Sequence, residues 1–154
     1  MSIRQITIIG TGLIGGSLGL ALRKAKFPGR IIGCDREAIL EKARNCGAVD
    51  AGFSDPGDAV RGSQVVVLAT PVLAIVDLID RVGPVLPEKA LLTDVGSTKT
   101  AVVERATHVF GKNASKKFLA GHPMAGKELC GVELPTPTCS TKPCGFSLRF
   151  PNRI

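Results

Sequence analysis

Two stretches of this chain carry residue types whose spacing suits chemistry. Gly10-Thr11-Gly12-Leu13-Ile14-Gly15 spaces three glycines as a loop that lets backbone come close to a diphosphate. Gly121-His122-Pro123-Met124-Ala125-Gly126 holds a histidine between glycines, on a segment stiffened by proline. A neutral imidazole with an ordinary pKa of about 6.5 accepts a proton near neutrality. Between the two lies Asp94-Val95-Gly96-Ser97-Thr98-Lys99, which offers a hydroxyl and an ammonium group.

These residues need elements to position them. Ile6-Thr7-Ile8-Ile9 reads as a buried strand ending at Gly10, and Leu13 to Ala25 as a helix that Pro28-Gly29 breaks. Ile31 to Cys34 is a second strand closed by Asp35, and Glu37 to Asn45 a second helix with Gly47 as its C-cap. The weakly patterned stretch from Ala48 to Gly62 holds a short strand and helix. Gln64 to Ala69 is a fourth strand, followed by a helix from Val72 to Val82, a strand from Ala90 to Thr93 and a helix from Thr98 to Phe110. A sixth strand around Lys117 to Ala120 leads into Gly121-His122. The strand runs lack polar alternation, which suits a parallel sheet covered on both faces. The fold class is therefore α/β, a doubly wound Rossmann-type parallel sheet.

In that setting Gly10 allows the tight turn and Gly12 leaves room for a pyrophosphate at the helix N-terminus, with Leu13 and Ile14 in the same loop. Gly15 and Gly16 let the helix pack closely on the strand. Asp35 follows Gly15 by 20 residues at a strand end, where a carboxylate accepts hydrogen bonds from the ribose hydroxyls. That carboxylate favours NAD, whereas Arg36 could pair with the 2′-phosphate of NADP. Thr70 and Pro71, after the fourth strand, line the far side, Pro71 also suiting the first turn of a helix. Ser97 suits both a helix N-cap and a place at the carboxyl edge of the sheet, where ligands bind. Lys99 reads as a solvated helix residue or a ligand, and His108 as a structural or exposed histidine within a helix.

Composition narrows the function classes. The 154 residues are 44% hydrophobic, enough for one core, without Trp or Tyr. No apolar run approaches a membrane span, and no basic leader with a cleavage site opens the chain, so the expected compartment is the cytoplasm. The five cysteines lack CxxC spacing, which argues against zinc and for cytosolic thiols. The net charge of +7 falls to +4 without residues Leu134 to Ile154, and the remaining Lys and Arg are scattered with no Tyr or Trp to stack bases. That pattern argues against nucleic acid as a partner.

Gly12-Leu13-Ile14-Gly15-Gly16-Ser17-Leu18, Ala69-Thr70-Pro71, Asp94-Val95-Gly96-Ser97-Thr98-Lys99 and Gly121-His122-Pro123-Met124-Ala125-Gly126-Lys127-Glu128 together resemble the prephenate and arogenate dehydrogenases of tyrosine biosynthesis, in the same order over residues 1–133. The resemblance implies an NAD-dependent oxidative decarboxylation of prephenate or arogenate. The ring carbon bearing the hydroxyl loses a hydride to nicotinamide, carbon dioxide departs, and the ring becomes aromatic. It also implies that His122 takes the ring hydroxyl proton and that Ser97 helps hold that hydroxyl and the imidazole. A different Rossmann dehydrogenase acting on β-hydroxy acids is the alternative within enzymes. A non-catalytic NAD-binding module or an inactive gene remnant is the alternative outside them.

After Gly131-Val132-Glu133 the family pattern stops. The resemblance implies a further helical domain that dimerises and supplies an arginine for the substrate carboxylate, and nothing of it is recognisable here. Residues 134–154 hold four of the ten prolines, two cysteines and no acid. Read two nucleotides later, their codons allow the acidic and apolar stretch expected of the family. The expectation is therefore an NAD-binding domain over residues 1–133, and over 134–154 an out-of-frame, disordered tail. Such a chain should leave apolar surface uncovered and be marginally stable.

Overall fold

The computed structural model describes residues 3–121 and the backbone of residues 123–124 and 147–148. Six strands form one sheet: β1 (Gln5–Ile9), β2 (Arg30–Cys34), β3 (Ala51–Phe53), β4 (Val65–Leu68), β5 (Leu91–Asp94) and β6 (Phe118–Leu119). Their order is β3-β2-β1-β4-β5-β6, and every pairing is parallel. The helices are α1 (Leu13–Lys24), α2 (Glu37–Asn45), α3 (Pro56–Ala59), α4 (Val72–Val82), α5 (Thr100–Phe110) and α6 (Ala114–Lys117). The doubly wound Rossmann-type sheet expected from the apolar runs is the one observed.

Strand alternation divides the core in two. Ile6, Ile8, Ile31 and Val67 face α1 and α2, packing with Leu18, Leu22 and Ala43. Ile9, Ile32, Val66, Leu68 and Leu92 face the other side, against α3, α4 and α5 through Val60, Ile75, Ile79 and Val102. The buried polar side chain of β1, Thr7, is satisfied. Its hydroxyl donates to the Ala59 carbonyl at 2.8 Å and lies 2.6 Å from Ser63 Oγ. An apolar cavity of about 260 Å³ opens between α1 and the strands β4 to β6, lined by Leu18, Leu22, Val65, Val67, Leu91 and Leu119 among others.

The order of the strands creates the functional edge. The chain runs outward from β1 to β3, then returns to β4 on the other side of β1. The helices after β1 and β4 consequently leave on opposite faces, and a crevice opens beyond the carboxyl ends of these two strands. The weakly patterned stretch contains the expected strand and helix, β3 and α3. Asp55 caps α3 by accepting the Asp58 N–H at 3.0 Å.

Two expectations are corrected here. The helix expected from Thr98 starts at Thr100 with Lys99 at its N-cap position, so Ser97 does not cap it. Pro71 is the N-cap residue of α4, with ψ 151°, rather than its first helical residue. Pro123–Met124 and Ser147–Leu148, here β7 and β8, pair antiparallel as a separate ladder. The rest of the segment expected to be disordered, 134–154, lies outside the described residues. No helix among the described residues is long and apolar enough to cross a membrane.

On the opposite edge of the sheet from the crevice, Asp50 joins α1 to the strands. Its carboxylate accepts the Ile31 N–H at 2.7 Å and pairs with Arg23. Partial burial works against its charge, but the Arg23 hydrogen bond, the Ile31 N–H and the charges of Arg23 and Arg30 outweigh it. Its carboxyl is held below the usual carboxylate range. A carboxyl lowered in this way stabilises the fold fully above its unfolded pKa and loses that contribution as pH falls through the folded value. Because the ion pair is partly solvent-screened, Asp50→Ala should lower the unfolding free energy by about 1 kcal/mol at neutral pH. Urea unfolding should show the gap between wild type and variant closing as pH falls below the ordinary carboxylate range.

Candidate functional site

The glycine loop between β1 and α1 is tightly constrained on one side and open on the other. Gly10 has φ +94°, and a Cβ there would lie 2.5 Å from the Ala69 carbonyl oxygen and 2.7 Å from Thr70 Cγ2. A Cβ on Gly15 would lie 1.9 Å from the Gly10 carbonyl oxygen and 2.9 Å from Ile8 Cγ2. These two glycines let the helix, the first strand and the end of β4 converge. At Gly12, by contrast, an added Cβ would meet nothing within 4 Å. The open side therefore has room for a ligand.

The start of α1 adds the electrostatics. No side chain caps it, and its first turn holds no acid. Its leading N–H groups and the positive end of the helix dipole thus have no acid or side-chain cap of the helix itself to answer them. Leu13 is 89% exposed at this point, and Ile14 is also exposed. Across the crevice, Thr70 Oγ1 is buried and has no hydrogen-bond partner among the described residues. A buried hydroxyl without a partner points to a polar atom that belongs there. Together these features fit a dinucleotide: a free helix N-terminus for phosphate, space above Gly12 and an unpartnered hydroxyl opposite.

Asp35 follows β2 and is half-buried at the same edge. Its Oδ2 accepts the Thr11 N–H at 2.8 Å, and its Oδ1 accepts the Arg36 N–H at 2.8 Å. The Thr11 hydroxyl also donates to Oδ2, at 3.4 Å; an ionised carboxylate has about four acceptor positions, so these three bonds orient it and leave some capacity toward the crevice. Arg36 is exposed beside it, at the N-cap position of α2. Cys34 lies just before Asp35, buried at the end of β2. Burial and the neighbouring charges of Asp35 and Asp55, opposed by Arg81, push its thiol up to about 11. That thiol stays protonated and is a packing group, not a nucleophile.

The second half of the site gathers at the end of β5. Asp94 closes that strand with its carboxylate fully buried. Its Oδ2 accepts the Gly96 N–H at 2.8 Å and pairs with Lys99 Nζ at 2.5 Å, and its Oδ1 accepts the Gly121 N–H at 3.2 Å. Lys99 is thus neither a solvated helix residue nor a free ligand, since its ammonium serves Asp94. Ser97 is exposed in the loop that Asp94 holds. His108 is exposed on α5, away from this edge. His122 lies outside the described residues, but Gly121, immediately before it, is buried against β5. Asp94 itself is the site residue that sequence reasoning passed over. The signal was available: an acid at a strand terminus, two residues before a glycine and five before a lysine. Among the described residues no group of three or more His, Cys, Asp or Glu side chains is arranged to hold a metal.

Residues 18–137 match the family described as prephenate dehydrogenase, nucleotide-binding domain. The prephenate dehydrogenase of Lactococcus lactis subsp. cremoris is 37% identical over 133 residues, covering 84% of this chain and 36% of that protein. The solved prephenate dehydrogenase of Aquifex aeolicus, in complex with hydroxyphenyl propionate and NAD+, superposes with TM-score 0.73 at 32% identity, over 84% of this chain and 44% of that one. The arogenate dehydrogenase of Synechocystis gives TM-score 0.70 at 32% identity, over 81% and 42%. The chain thus spans less than half the length of these relatives.

The contrast between Gly12 and Gly15 can be tested directly. Gly12→Ala should leave the unfolding free energy within about 0.5 kcal/mol of wild type. It should weaken dinucleotide binding about tenfold or more, roughly 1.4 kcal/mol. Gly15→Ala should instead destabilise the fold, because its Cβ would have to displace the Gly10 backbone. Thermal unfolding and calorimetric titration read the two effects separately.

Proposed function

Since this chain belongs to the prephenate dehydrogenase family, matching its nucleotide-binding domain, we propose that it binds NAD+ and serves the oxidative decarboxylation of prephenate or arogenate. The observation that carries this reading is the meeting at one sheet edge of two constellations. The Gly10 to Gly15 loop, Asp35 and Thr70 lie on one side, and the Ser97 loop and Gly121, held by one carboxylate, on the other.

In this reading the N–H groups above Gly12, Leu13 and Ile14 hold the pyrophosphate, with Gly10 and Gly15 keeping the loop close to β1. Asp35 accepts the adenosine ribose hydroxyls through its remaining lone pairs and selects NAD+ over NADP+ by repelling a 2′-phosphate. Arg36, beside it and exposed, is the residue through which NADP+ would be accommodated. Thr70 and Pro71 line the opposite wall, the Thr70 hydroxyl gaining its partner from the ligand. Bound there, the nicotinamide ring supplies the two-electron acceptor.

His122 takes the proton of the substrate's ring hydroxyl as a neutral imidazole, and Ser97 holds that hydroxyl in line. Aromatisation and loss of carbon dioxide supply most of the driving force, so these residues chiefly align the substrate and remove one proton. The working unit in this reading is a cytoplasmic homodimer whose further helical domain contributes an arginine to the substrate carboxylate. Prephenate and arogenate differ in their side chain, which that domain also reads.

The test is to offer NAD+ or NADP+ with prephenate or arogenate and to follow binding and turnover separately. Binding of NAD+ without turnover would make this chain a cofactor-binding module. His122→Asn should lower turnover by about a hundredfold or more while NAD+ affinity stays nearly unchanged. Equal loss of both would identify His122 as structural. Asp35→Ala should weaken NAD+ binding and narrow its margin over NADP+.

A further inference from the structure

Asp94 is the only charged residue that is buried among the described residues. A buried carboxylate is kept in a fold only when it is paired and hydrogen-bonded. Its three partners come from two separate segments. Gly96 and Lys99 lie in the loop after β5, which carries Ser97, whereas Gly121 lies beyond β6 and directly precedes His122.

The sheet itself does not set the relation between those segments. The β5–β6 ladder consists of Leu92 with Phe118 and Thr93 with Leu119, and it stops two residues before Gly121. Past that point the Asp94 carboxylate is the hydrogen-bonded link described between the two. The link is close: a Cβ on Gly121 would lie 2.3 Å from the Asp94 carbonyl oxygen and 3.1 Å from Thr93 Oγ1. Lys99 neutralises the carboxylate on the solvent side, where 28% of the lysine side chain is exposed.

We propose that Asp94 is a positioning residue, its buried carboxylate fixing the Ser97 loop and the Gly121 backbone, which directly precedes His122 in sequence, relative to each other. This rests on the roles proposed above for Ser97 and His122. The carboxylate is needed, not merely a group of its size, because all three partners are donors. An asparagine keeps one acceptor oxygen and turns an NH2 toward Lys99 and Gly96 or toward Gly121, so one of the two segments is released.

The chain has two histidines, His108 and His122, so its imidazole NMR signals are assigned with a single His108→Gln variant. In Asp94→Asn the His122 ring signals should shift and the Gly121 amide should lose exchange protection. The His108 signals and NAD+ affinity should stay as in wild type. Unchanged His122 signals and Gly121 protection in the folded variant would overturn the proposal, as would a loss of NAD+ affinity accompanying the His122 shift, which is the mark of general disruption. Should the variant not fold, wild-type hydrogen exchange decides. Gly96 and Gly121 amides exchanging about tenfold or more slower than Ser97 support the clamp, and equal rates overturn it. None of the exchange and ring measurements uses a ligand. Failure of wild type to bind NAD+ would count against the proposed function while leaving the Asp94 result readable.

Discussion

The contact between Gly15 and the Gly10 carbonyl is the constraint on which the rest of the site depends. With no side chain at either position, α1 starts almost in contact with the end of β1, and Gly10 in turn presses against Ala69 at the end of β4. Three elements converge within a few ångströms. The helix N-terminus, the Thr70 hydroxyl and the Asp35 carboxylate share one crevice for that reason alone. A larger side chain at Gly10 or Gly15 would separate them, and the free N–H groups of α1 would no longer face the opposite wall.

Charge is handled differently at the two ends of that edge. Beyond β1 the protein places no acid in the first turn of α1 and no side-chain cap at its start. Beyond β5 it buries a carboxylate and answers it completely, with two backbone N–H groups and Lys99. An unanswered helix terminus is suited to receiving an anionic ligand, whereas a satisfied buried charge is suited to holding backbone in place. The same edge thus combines a receptive surface with a rigid one.

Family membership and geometry support each other at specific residues. The family match begins at residue 18, beyond the glycine loop, and so rests on the later segments. The glycine loop is supported by its own sterics, with crowding at Gly10 and Gly15 and open space at Gly12. The two lines are independent over that part of the chain, and both arrive at a nucleotide-binding domain.

Much of this was legible in the residue order. Apolar runs without polar alternation announced a parallel sheet, and all six strands and the main helices lie where those runs and their breakers put them, because burial on both faces and helix periodicity are local signals. The glycine spacing and the distance to Asp35 were equally local. The placement of Ser97 was not, since a serine before a helical run suits a cap, and only the start of α5 at Thr100 shows that it is not one. The pairing of Lys99 with Asp94 is not legible locally for the same reason. Their pairing, and the bond from Asp94 to Gly121, join residues up to 27 positions apart. Sequence by itself determined the elements and the glycine loop between β1 and α1. Only the tertiary structure decided which polar groups are buried, and a buried charge must find its partners wherever the fold brings them.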